Sequence, residues 1–172
     1  MPKYIVESKS RAELRLLAEV FRMLLNLTDE LRVPIVELLD VLSIHLKGFS
    51  YEIVPDEALP EGIHAETDIR TGHITIKESV YEGACNGLGR DRMTIAHEIG
   101  HFITLCFCGF KLQRGFKGSK LKTFNDPEWQ AKCFAGEFMI SRRLTANMTP
   151  IEISRACGVS YSAAYYQYKH RN

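Results

Sequence analysis

Residues 91–106 place the strongest constraint on how this chain folds. Met93, Ile95, Ala96, Ile99, Phe102, Ile103 and Leu105 fall at positions that leave a helix apolar nearly all the way round. Such a helix has no solvent side, so other elements must cover it on its flanks. Within the same turns stand His97, Glu98 and His101. Two imidazoles and a carboxylate on a buried helix are costly unless partners satisfy them. One segment therefore predicts both where the core lies and where its chemistry lies.

The rest of the chain supplies the cover. With 172 residues, 45% of them hydrophobic, it supports one good-sized core and has no room for two large domains. Ser10 followed by Glu13 is a capping-box signal, and Leu14, Leu17, Phe21, Leu24 and Leu25 follow at helical spacing, which predicts a helix from Arg11 to about Asn26. Pro34 suits the first turn of a second helix carrying Ile35, Leu38, Leu39, Leu42 and Leu46 until Gly48 ends it. From Tyr51 to Lys77 the pieces SYEIV, GIHAETDI and HITI, separated by Pro55, Pro60 and Thr71-Gly72, predict a small antiparallel sheet. Gly83, Gly87 and Gly89 predict a loose connection up to Asp91. Asp126-Pro127 is a cap followed by a first helical residue, predicting a helix to about Ile140. Thr149-Pro150 repeats that signal before two short helices joined at Cys157-Gly158-Val159-Ser160. The expected fold class is α+β, helices packed on a small antiparallel sheet, with a short C-terminal helical segment.

His97-Glu98-Ile99-Gly100-His101 sets two imidazoles four residues apart, one above the other on a single helix face, as two adjacent zinc ligands require. Glu98, beside the first ligand, can take a proton from water and pass it to a leaving amine. With 6 His and 15 Glu in the chain, the pattern arises by chance in roughly two of every hundred shuffled sequences, so it needs support. Catalytic zinc takes three protein ligands and leaves a fourth position to water. Glu128 is the expected third: at about 100° per residue it shares a face with Ala131, Ala135, Phe138 and Met139, while Glu137 falls opposite. A carboxylate at the head of an apolar stripe is expected to point into the core. Its other available role is that of an acid complementing the dipole in a helix's first turn.

GRDRMTIAHEIGH at 89–101 and EWQAKCFAGEFMIS at 128–141, with HITI upstream at 73–76, resemble the ImmA/IrrE-type metallopeptidases. Ser141 departs from that pattern, where a proline commonly follows the apolar helix. The resemblance implies a zincin-like metallopeptidase domain over 1–141 and a helix-turn-helix-like segment over 142–172. It implies His97, His101 and Glu128 as zinc ligands and Glu98 as the base of a zinc endopeptidase. The protein substrate it implies is a helix-turn-helix transcriptional repressor that governs a mobile element or stress genes. The alternative is a non-catalytic zinc-containing regulator, or a toxin–antitoxin component, acting through protein or DNA binding.

Other signals are weaker. His73, Ile74, Thr75 and Ile76 form a short strand that, if exposed beside the site, would pair with an extended substrate backbone; an ordinary sheet strand is the other reading. Lys111, Arg114, Lys117, Lys120 and Lys122 make the loop between the two ligand helices basic, either solvated or facing an acidic partner. The C-terminal segment resembles a helix-turn-helix, yet its second helix reads YSAAYYQY, with basic residues only at Lys169, His170 and Arg171. That composition favours packing or partner contact over DNA binding. Twenty-two basic residues against 21 acidic ones, a formal charge of +1, exert no global pull toward nucleic acid or membrane. No apolar run is long enough for a bilayer span or a signal peptide, so the expected location is the cytoplasm. Five cysteines, Cys106 and Cys108 among them, are expected to be buried thiols.

Overall fold

The structure is a computed structural model that describes residues 4–107, 113–114 and 123–171. The basic side chains between Lys111 and Lys122 and the Cys106/Cys108 pair lie outside what is described. In chain order the elements begin with β1 (Tyr4–Ile5), α1 (Arg11–Leu24) and α2 (Ile35–His45). The sheet strands follow, β2 (Ser50–Val54), β3 (Ala65–Asp68) and β4 (His73–Lys77), and then α3 (Glu78–Cys85) and α4 (Gly89–His101). β5 (Gln113–Arg114), α5 (Pro127–Met139), α6 (Pro150–Cys157) and α7 (Tyr161–Lys169) complete the set. The fold is α+β, with seven α-helices among the described residues and a three-stranded sheet.

The apolar helix is α4, and it lies at the centre. α2, α3, α5 and the sheet pack round it, and Ile95, Ala96 and Ile99 are fully buried. It continues as a π-helical stretch, Phe102–Phe107, where the sequence pattern predicted regular helix to about Cys106. α5 packs on both α4 and α1, with the Phe21 ring 5.5 Å from Phe138 and 6.1 Å from Phe134. Gly100 makes the α4–α5 approach possible: a Cβ there would stand 2.7 Å from the Ala131 carbonyl oxygen.

The sheet differs from the antiparallel one expected. Its order is β2-β4-β3, with β4 parallel to β2 and antiparallel to β3. β3 and β4 are joined by a tight turn closed by Gly72 N–H to Asp68 O at 2.7 Å, which forces them antiparallel. The chain leaves β2, crosses to the far edge to make β3, and returns through the middle as β4. Strand propensity is local and says nothing about this order. The consequence for His73, Ile74, Thr75 and Ile76 is a correction. They are central, bonded on both sides, so they have no free edge to offer a substrate.

Two further corrections concern the middle of the chain. The stretch expected to be loose holds α3, because burying Val80 and Ala84 outweighs the helix cost of about 1 kcal/mol that Gly83 carries. Cys85 is exposed, whereas Cys133 and Cys157 are buried as expected, and burial pushes both thiols up to about 11.

The C-terminal pair shares the core: Ile153, Cys157, Val159 and Ala164 belong to the same apolar cluster as α4 and α5. Thr149 and Glu152 form a reciprocal capping box on α6. The turn after α6 lies on the start of α4, where a Cβ at Gly89 would collide with the Val159–Ser160 backbone. Buried Arg92 ties the same turn down, donating from Nε to Gly158 O at 2.8 Å and from Nη2 to Val33 O at 2.6 Å. Glu137 at the end of α5 accepts from Arg11 at 2.9 Å and Arg15 at 2.8 Å, and Arg11 also reaches Gln167 on α7 at 2.9 Å.

Candidate metal centre

His97 and His101 project from one face of α4 because four residues make slightly more than one turn. Their rings are 4.6 Å apart and nearly perpendicular, at 83°, so their Nε2 atoms approach to 3.1 Å. α5 begins beside them. Asp126 caps it by accepting from the Glu128 N–H at 3.0 Å, and Pro127 fixes its first turn, which holds Glu128 at the mouth of the cleft. The carboxylate spans both rings, with Oε2 3.2 Å from His97 Nε2 and Oε1 3.2 Å from His101 Nε2. The side chain does not point into the core as the apolar stripe suggested: 69% of its surface is exposed. The first turn of the helix overhangs the cleft and does not enter it.

His97, His101 and Glu128 thus bring their ligand atoms within 4.8 Å of one another, and they make a group able to hold a metal ion. Hydrogen bonds from His101 and then His97 hold the Glu128 carboxyl well below the usual carboxylate range. His101 Nδ1 is buried with no hydrogen-bond partner among the described residues, so the ring is anchored through Nε2 alone. The chemistry fits a cation: imidazole nitrogens and a carboxylate, gathered within 4.8 Å of one another, are the ligand types that borderline divalent ions take.

Glu98 lies on the adjoining face and is buried, 6% exposed. Thr67 of β3 donates from Oγ1 to Glu98 Oε2 at 2.7 Å and also lies 3.2 Å from the Glu98 carbonyl oxygen. The carboxylate is therefore held at one oxygen by a neutral donor and has no cationic partner among the described residues. Sequence reasoning missed Thr67. Its only signal was alternation in a short strand, which gives the face of the sheet it occupies and not what it meets there. A cleft of roughly 590 Å³ runs over the group, bounded by His97, Glu98, His101 and Glu128 on one side and by β3 on the other.

No family model matches this chain, and no curated protein does. Among solved structures it is similar to a transcriptional regulator of Mycobacterium tuberculosis, with a TM-score of 0.59 and 15% identity, over 90% of this chain and 46% of that one. The chain thus spans about half the length of that protein. At such identity the likeness is one of fold.

Proposed function

We infer that the protein is a zinc-dependent endopeptidase of zincin-like fold. His97, His101 and Glu128 hold the ion, and Glu98 is the base. The observation that carries this reading is the meeting of two Nε2 atoms 3.1 Å apart with a carboxylate that bridges them, one oxygen 3.2 Å from each, beside a buried glutamate. A tetrahedral zinc with bonds of about 2.0–2.1 Å sets its ligand atoms about 3.3–3.4 Å apart, close to the 3.1 Å between the two Nε2 atoms. When bound, the ion acidifies a water and polarises a carbonyl.

The remaining work falls to the chain's own groups. Glu98 takes a proton from the attacking water and delivers it to the departing amine nitrogen. Thr67 engages Oε2, leaving Oε1 to carry that proton. β3, unlike β4, is an edge strand, so its outer backbone groups can pair with an extended peptide running past Glu98. The substrate class follows the resemblance of residues 89–101 and 128–141 to the ImmA/IrrE-type peptidases: a helix-turn-helix repressor, met in the cytoplasm. Among the described residues no helix is long and apolar enough to cross a membrane.

Co-expression with candidate helix-turn-helix repressors tests this reading. A cut that appears with the natural chain should vanish in Glu98→Gln, with turnover reduced by at least about 100-fold and zinc retained. Zinc-loaded protein that cuts nothing, or a cut that survives the substitution, refutes it. A second reading, a zinc-holding regulator that acts without cleavage, is favoured by the likeness of fold to a protein called a transcriptional regulator. It requires Glu98→Gln to leave the biological effect intact.

A further inference from the structure

A second cavity, roughly 540 Å³, opens between α4, α5 and α7. Thr94 and His97 line both this cavity and the cleft along β3, so the two are arms of one trough that crosses the three-donor centre. The floor of the second arm is apolar, made by Met93, Ala135 and Ala163. Its rim is polar, made by Ser162, Lys132 and Tyr166, whose hydroxyl accepts from Arg11 Nη2 at 3.1 Å.

Lys132 is the telling residue. Its Nζ lies 6.0 Å from the centroid of the Tyr166 ring. Unlike Arg11 and Arg15, it has no carboxylate within ion-pair distance among the described residues. A cation left unpaired beside an apolar floor complements a ligand that is apolar at its tip and acidic close by. α7 is turned to serve this arm. Ala164 and Gln167 are buried, and Gly136 on α5 lies so close to Gln167 that a Cβ would stand 2.8 Å from its Nε2. Ala163 and Tyr166, three residues apart, therefore share the side facing the trough.

We propose that this arm is a substrate subsite. It receives an apolar side chain of Leu, Met or Phe size next to the scissile bond, and Lys132 selects an Asp or Glu within two residues of it. The inference rests on the peptidase reading. It gives α7 the task of choosing a peptide, in place of reading DNA.

The test uses the zinc-loaded full chain and a library of synthetic peptides, with cuts mapped by mass spectrometry. Cuts by the natural chain should cluster beside Leu, Met or Phe with an acidic neighbour. Ala163→Leu fills the floor and should move the preference to Gly, Ala or Ser, lowering kcat/KM for a Leu-containing peptide by roughly 10- to 200-fold. Should that variant fold poorly, Ser162→Trp narrows the mouth from an exposed position and should produce the same shift. Lys132→Glu should remove or reverse the acidic preference, an effect of about two- to fivefold. Cutting that persists with one profile in the natural chain and all variants overturns the subsite and leaves the peptidase reading standing, as does a natural chain that cuts without apolar preference. A natural chain that cuts no peptide sinks both.

Discussion

The two ends of α5 each carry a glutamate, and the contrast between them separates structure from chemistry. Glu137, in the last turn, is 4% exposed at its side chain and closed off by two guanidinium groups, on Arg11 and Arg15. Glu128, in the first turn, is 69% exposed and faces two imidazoles, with no guanidinium or ammonium partner among the described residues. At the closed end every charge is answered by the protein itself, and the network joins α1, α5 and α7. At the open end two imidazoles and a carboxylate meet only one another, at the mouth of a cleft. A buried ion pair stabilises a geometry; an open convergence of donors is available to a ligand.

The largest expected effect breaks the closed end. Glu137→Ala leaves two partly buried guanidiniums unpaired and should lower stability by about 3 kcal/mol, the low end for a broken buried pair because Arg11 and Arg15 keep some solvent contact. Denaturant unfolding measures it, and zinc content of the folded fraction should not change. Glu128→Gln attacks the open end, and the comparison expects the opposite pattern. Zinc affinity should fall by more than about 100-fold, exceeding the 10- to 100-fold of outer partners, while the metal-free chain unfolds at an unchanged midpoint. If Glu128→Gln unfolds the chain, or Glu137→Ala empties the site, the two ends are not distinct.

A smaller effect sharpens the picture at Glu98. Thr67→Val deletes the hydroxyl that holds Oε2 while keeping the shape, so kcat should drop by roughly tenfold with KM and zinc content little changed. The smallest effect concerns thiols. With burial pushing Cys133 and Cys157 up to about 11, only about a thousandth of either is thiolate at pH 8. Iodoacetamide on the native chain should label exposed Cys85 and spare those two, peptide by peptide. Rapid labelling of Cys133 would mean that α5 opens at its supposedly closed end.

Much of this was legible before any coordinates. The capping box at Ser10–Glu13, the cap-and-proline pairs at Asp126-Pro127 and Thr149-Pro150 and the periodicity of α1 and α2 are local signals, and α1, α5 and α6 start where their caps stand. The pairing of His97 with His101 is equally local, because one helical turn fixes it. α3 escaped notice because Gly83 reads as a breaker when its buried neighbours are unknown. The error over His73–Ile76 has a different origin: three strands of similar composition were recognised, and their order was not.

Sequence alone determined that His97 and His101 share one helix face with Glu98 beside them, singled out Glu128 as the residue that would join them, and required α4 to be enclosed, because residue spacing on a helix and the apolar count around it are properties of a segment. Tertiary structure alone decided that β3 and not β4 borders the site, that Thr67 holds Glu98, that Glu128 overhangs the cleft, and that α7 walls its second arm. These depend on the order of strands and the angle at which helices cross. Both are set by packing between residues far apart in the chain, and no local pattern encodes them.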